Sequence, residues 1–140
     1  MAAAPGFLAA TGLVAGTLTI IDPVLVDGTW VKVNLTAGAE HWYSFTVTNG
    51  TPYYIWWDDE SHGSGNGNTV DIVVGIRYAG ESTWIIGGAT GNSDANGWTT
   101  VQTIVADRTG TVEIRVKGYN ATSNGNYAIV YSTTNVRPTY

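Results

Sequence analysis

Leucine stops at position 35. The chain carries five leucines, and none lies between Thr36 and Tyr140. Leu, Glu, Lys and Met are the residues from which helices are usually built. In their place stand 20 Thr, 10 Asn, 18 Gly and 16 aromatic residues, types that suit strands and turns. This composition argues against a helical bundle, a coiled coil and a doubly wound α/β fold. Disorder is excluded as well, because 44% of the residues are hydrophobic and can close a core.

Strand signals follow one another along the chain. Short apolar or alternating runs occupy residues 17–21, 29–35, 41–48, 51–57, 69–78, 83–86, 98–105, 111–117 and 126–132. In three of them the alternation is clean. Val31, Val33 and Leu35 oppose Trp30, Lys32 and Asn34; Tyr43, Phe45 and Val47 oppose Trp42, Ser44 and Thr46; Val112, Ile114 and Val116 oppose Glu113, Arg115 and Lys117. Half-buried antiparallel strands produce this pattern. Two dipeptides carry the local signature of a tight hairpin, Asp27-Gly28 before residues 30–35 and Asn49-Gly50 between 41–48 and 51–57. About nine short strands at this spacing predict an all-β fold, a single antiparallel β-sandwich of jelly-roll-like form, with a partly closed barrel as the alternative. The division is an uncharged lead over residues 1–21 and a sandwich domain over 22–140.

Charge narrows the partners. The net charge is −5 and the six Lys and Arg are scattered, so there is no basic patch to displace counterions from nucleic acid. No run of 18 apolar residues free of helix breakers occurs; the lead comes nearest and is interrupted by Pro5, Gly6, Gly12 and Gly16. The lead lacks the basic start of a secretory signal. The absence of Cys removes disulfides and thiolate metal sites.

Six Trp in one small domain ask for an explanation. Alternation turns Trp30 and Trp42 away from the core. In 51–57, taking Tyr53, Ile55 and Trp57 as the core face leaves Tyr54 and Trp56 outward. With 41–48 and 51–57 joined as a hairpin, Trp42, Tyr54 and Trp56 share one exposed face. Such a row needs a cover, and sugar rings, a partner domain or a neighbouring subunit would provide one. Trp84 and Trp98 flank the Gly-rich stretch 87–97 and form a second group.

Residues 58–71 form an acidic, Gly-rich loop that contains Asp58, Asp59, Glu60, Asn66, Asn68 and Asp71. Adjacent carboxylates repel unless they are solvated or hold a cation. Calcium takes six to eight oxygens from carboxylates, amides and carbonyls, and glycines let a backbone wrap around it. The spacing is not that of an EF-hand. The expected metal ligands are Asp58, Asp59, Asp71, Asn66 and Asn68; a solvated turn is the plain alternative. The loop around Asn92, Asp94 and Asn96 is a weaker version. No nucleophile, base and orienting group fall together, since Ser61 and His62 are adjacent and His41 is distant, so an enzyme is not expected. Asn34, Asn49 and Asn120 begin glycosylation sequons, which a chain rich in Thr and Asn also produces by chance.

Five pieces of sequence, in order, resemble the bacterial pre-peptidase C-terminal domain family: His41 through Phe45, Tyr53 through Asp59, Asp71 through Val74, Gly110 through Val116 and Gly125 through Tyr131. The resemblance covers about two-thirds of the chain, and the lead has no counterpart in it. It implies a jelly-roll-like sandwich on a secreted or cell-surface protein, with a binding role and with Asp58, Asp59 and Asp71 as calcium ligands. The reading that follows is a non-catalytic polysaccharide-binding module. The rival is a subunit of an extracellular filament or surface assembly, whose lead adds a strand to a neighbour.

Overall fold

In the computed structural model, which describes residues 23–87 and 101–140, eight strands form two four-stranded antiparallel sheets. They are β1 (Val31–Leu35), β2 (Glu40–Val47), β3 (Pro52–Asp58), β4 (Ile72–Tyr78), β5 (Trp84–Ile86), β6 (Gln102–Val105), β7 (Gly110–Gly118) and β8 (Gly125–Ser132). One sheet has the order β1-β8-β3-β6 and the other β2-β7-β4-β5. That order is an eight-stranded jelly roll, in which successive strands alternate between the sheets except at β4 and β5. Eight of the nine expected runs fall on these strands; the ninth, 17–21, and the rest of the lead lie outside the described residues.

The alternation placed the core correctly. Leu35, Tyr43, Phe45, Val47, Tyr53, Ile55, Trp57, Val112, Ile114 and Val116 all point between the sheets and are buried. Phe45 of one sheet stacks on Tyr131 of the other, with centroids 4.1 Å apart and rings 12° from parallel. Each fully buried Ile or Phe contributes about 1.5–3 kcal/mol of hydrophobic stabilisation.

The two hairpin expectations fail, for one reason. Gly50 takes the positive φ of a tight turn, and Thr51 N–H donates to Thr48 O at 3.0 Å. The turn nevertheless carries the chain from β2 in one sheet to β3 in the other, so the two strands are not paired. Asp27-Gly28 likewise turns, with Thr29 N–H donating to Val26 O, but β1 pairs with β8 instead of a preceding strand. Tight-turn chemistry reverses a chain without choosing its hydrogen-bonding partner. Among the described residues, the only consecutive strands that pair are β4 and β5.

Both ends of the described chain are tied to the sandwich. Residues 23–25 bridge the free edge of β2 in parallel, with Leu25 N–H donating to Ser44 O and Ser44 N–H to Pro23 O. Asp27 accepts from Thr133 N–H and Oγ1, which holds its carboxyl below the usual range. The C-terminal residues return over β1, where Trp30 Nε1 donates to Pro138 O and Tyr140 packs 5.2 Å from Trp30.

Candidate functional site

The outer face of the β2-β7-β4-β5 sheet carries an aromatic and charged patch. In register across this sheet, Trp42 faces Arg115, Arg115 faces Gly75, Arg77 faces Glu113, and Trp84 faces Arg77. Alternation points all of these side chains outward. The Trp84 indole reaches back over Gly75: a Cβ built there would lie 2.8 Å from Trp84 Cζ3. Glycine in a central strand is otherwise unfavourable, and here it admits the ring flat against the backbone. Trp42 and Trp84 then come within 6.2 Å at an angle of 33°.

Cations and carboxylates fix this pair. The Arg77 guanidinium lies 4.7 Å from the Trp42 ring and 4.8 Å from the Trp84 ring, and Arg115 lies 4.6 Å from Trp84. Arg77 Nε donates to Glu113 Oε1 at 3.1 Å, and Trp42 Nε1 donates to Glu40 Oε1 at 3.3 Å. Burial lowers the pKa of Arg115, an effect opposed by the Glu40 carboxylate and reinforced by Arg77. Trp42 and Trp84 remain half-buried.

The expected single row of Trp42, Tyr54 and Trp56 is not formed. Tyr54 and Trp56 lie on β3, in the other sheet, so they face the opposite side of the molecule from Trp42. They pack together at 6.5 Å, and Trp56 is only 4% exposed, which removes it as a stacking surface. Its neighbours on that outward face, Asp58, Ala128, Val130 and Ser132, are buried too. The signal was present in the sequence: from Tyr127 to Tyr131 every residue is apolar, as in a strand covered on both faces. Trp98 and the loop 92–97 lie outside the described residues.

The acidic loop closes largely on itself. Asp58 is fully buried, and its Oδ2 accepts from Ser64 Oγ, Asn66 Nδ2 and Asn68 Nδ2 at 2.7, 3.0 and 2.9 Å. Asp59 Oδ1 accepts from Ser61 N–H and Oγ, and its Oδ2 accepts from Ile72 N–H at 3.0 Å. These bonds cap a single 3-10 turn, Glu60–His62, where Asp59 N–H in turn donates to His62 Nδ1. Burial, with the Asp59 and Glu60 charges nearby, raises the pKa of Asp71. Asn66 and Asn68 thus meet Asp58 through their N–H groups and not through amide oxygens. Among the described residues, no three His, Cys, Asp or Glu side chains gather as a metal site. The buried Asp58 Oδ1 accepts no hydrogen bond, and His62 Nδ1 lies 4.0 Å from it.

In the sequence, His41 is distant from Ser61 and opens the first of the family-like pieces. In the fold its Nδ1 lies 2.8 Å from Tyr127 OH, which also bonds Tyr43 OH across the core. Burial lowers the pKa of His41 and raises those of both tyrosines. Alternation turned Arg115 outward without giving it a role, and it left Arg77 and Gly75 unremarked; their outward positions on an apolar strand were the available sign.

Comparison with known proteins bears on the fold. No protein-family model and no curated protein sequence matches the chain. Solved structures do. The pre-peptidase C-terminal domain of a collagenase from Bacillus anthracis aligns over 83% of this chain and 100% of its own, at 13% identity and a TM-score of 0.58. A periplasmic inhibitor of g-type lysozyme from Aeromonas hydrophila aligns over 79% and 94%, at 16% identity and a TM-score of 0.51. A surface-associated copper-binding protein of Methylomicrobium album BG8 aligns over 80% and 98%, at 10% identity and a TM-score of 0.50. Strand order and structural likeness agree with the sequence resemblance: this chain has the fold of the pre-peptidase C-terminal domain.

Proposed function

We propose that the chain is a non-catalytic, secreted or cell-surface module that binds polysaccharide on the Trp42–Trp84 patch. The supporting observation is the pair of half-buried indoles, 6.2 Å apart on a rigid sheet and surrounded by Glu40, Arg77, Glu113 and Arg115. The C–H faces of sugar rings stack on indoles, and the charged groups around them orient the hydroxyls. Of the similar folds described above, one is periplasmic and one surface-associated, which supports a setting outside the cytoplasm.

Affinity electrophoresis against cellulose, xylan, mannan and related glycans tests the proposal. Retardation by at least one glycan, lost in Trp42→Ala and Trp84→Ala, is the expected result; Trp98→Ala and Tyr54→Ala complete the series. No retardation by any polysaccharide, or retardation unchanged in both Trp42→Ala and Trp84→Ala, overturns it. The same glycans should release no reducing ends when incubated with the chain.

Calcium enters this proposal through Asp58 alone, because its buried Oδ1 accepts no hydrogen bond and is an oxygen that a cation stabilises, with His62 Nδ1 4.0 Å away as the nearest competing group. A bound ion raises the melting temperature by mass action, so EDTA should lower it and added calcium restore it. A melting curve indifferent to both leaves the loop as a self-bonded turn.

A second reading, a subunit of a surface assembly, draws on the β2 edge. Residues 23–25 pair with that edge, and Val24 among them and Val26 just after them are 68% and 63% exposed. Strand addition between neighbours uses such an edge. Light scattering of the full chain and of one beginning at Asp22 separates the readings. Monomers at high concentration in both rule out the assembly.

A further inference from the structure

We propose that an asparagine-lined cleft on the other sheet is a second ligand site, for a sugar ring or a polyol of similar size. The cleft has a volume of about 330 Å³ and is bounded by Lys32, Asn34, Asn66, Asn68, Asn126 and Tyr140. That volume is at the lower end of the about 300–1,000 Å³ range of small-molecule sites. The proposal does not rest on the Trp42–Trp84 reading, because the two patches share no residue and lie on different sheets.

Its walls are built from distant parts of the chain and held at fixed spacing. One wall is the outward face of β1 and β8, where Asn34 and Asn126 are register partners and Asn34 Nδ2 donates to Asn126 Oδ1 at 3.2 Å. The other is the acidic loop, where the buried Asp58 carboxylate takes one N–H from each of Asn66 and Asn68. Backbone bonds join the walls: Thr69 and Val70 N–H both donate to Asn126 O, and Asn126 N–H donates to Thr69 Oγ1. Gly125 permits this approach, since a Cβ there would lie 2.4 Å from Thr69 Oγ1 and its φ of +144° suits glycine. Tyr140 completes the rim, held by Asn68 Nδ2 at 3.0 Å and by Lys32 Nζ over its ring at 4.1 Å.

The orientation of the amides selects the ligand. Asn34, Asn66 and Asn68 spend an N–H on the protein, which leaves their amide oxygens as acceptors. Asn126 spends its oxygen, which leaves its N–H groups as donors beside the Lys32 ammonium. A simple anion would meet three carbonyl oxygens, and a cation would meet Lys32. Hydroxyl groups both donate and accept, so a polyhydroxylated ring satisfies the whole set.

The test is an NMR titration of the isotope-labelled full chain with methyl glycosides of glucose, galactose, mannose and xylose, and with glucuronic acid. The expected result is a saturable shift of amide signals at Lys32, Asn34, Asn66, Asn68 and Asn126, which follows its own binding curve whether or not the Trp42 and Trp84 indole signals move. Both Lys32 and Asn34 are exposed, so Lys32→Met with Asn34→Ala should keep the wild-type melting temperature while weakening binding roughly tenfold or more. Trp42→Ala should leave the titration unchanged, which separates this site from the stacking patch. Three results overturn the proposal: no saturable shift with any of the sugars, shifts confined to Trp42 and Trp84, or a titration unaltered in the double variant. The wild-type shift map stands whether or not the variant folds.

Discussion

The two outer faces of the sandwich receive similar side chains and treat them differently. Trp42 and Trp84 on one sheet, and Trp56 on the other, are all outward by alternation. The first two are half-buried among Arg77, Arg115, Glu40 and Glu113, whereas Trp56 is 4% exposed beside Ala128 and Val130. Pointing away from the core is a property of the strand. Meeting solvent is a property of whatever else packs on that face.

The contrast breaks most sharply under truncation. Trp56→Ala should destabilise the fold by about 3–5 kcal/mol in chemical denaturation, the cost of a large cavity, and should leave polysaccharide retardation in place. Trp42→Ala should do the reverse, losing retardation for a stability cost of about 1 kcal/mol. Equal stability losses would erase the distinction between the faces.

Next in size is Asp58→Ala, which strands three donors around a buried position. A loss of about 3 kcal/mol is expected, together with altered NMR signals at Asn66 and Asn68. A smaller effect is expected from Gly75→Ala. Its methyl would press on Trp84, costing about 1 kcal/mol, shifting the Trp fluorescence and weakening retardation. An unchanged spectrum would show that Trp84 does not need Gly75.

The smallest effect is that of pH. Burial lowers the pKa of His41, so the unfolded chain takes up its proton first as pH falls below the ordinary value of 6.5. The stability contribution of His41 is therefore present above that value and lost as pH falls through the folded one. For Asp71 the sign reverses. Its raised value means a contribution present in acid and lost as pH rises through the folded value, so Asp71→Asn should stabilise the fold at neutral pH and not in acid. Denaturation midpoints across pH for His41→Gln and Asp71→Asn check both slopes.

Much of the fold was legible in the chain. Residues such as Tyr43, Phe45 and Val47 announce their inward face because a strand repeats every two residues, a purely local rule. The acidic loop also declared itself, though not that Asp58 and Asp59 would spend their oxygens on Ser61, Ser64, Asn66, Asn68 and Ile72 N–H. The patch was half legible: Trp42 and Trp84 stood out singly, but nothing near either announced the other. The cleft was not legible, since Asn34 and Asn126 are 92 residues apart and Asn68 and Tyr140 are 72 apart.

By itself, then, the sequence determined the all-β class, eight of the strands, the residues between the sheets and the position of the turns. These follow from side-chain period and backbone φ, which act over a few residues. Tertiary structure decided which strands pair, so that Asn49-Gly50 crosses between sheets instead of closing a hairpin. It also decided which outward tryptophans stay accessible and which asparagines meet. Those outcomes depend on the jelly-roll order of the strands, which brings together residues that no short stretch of chain contains.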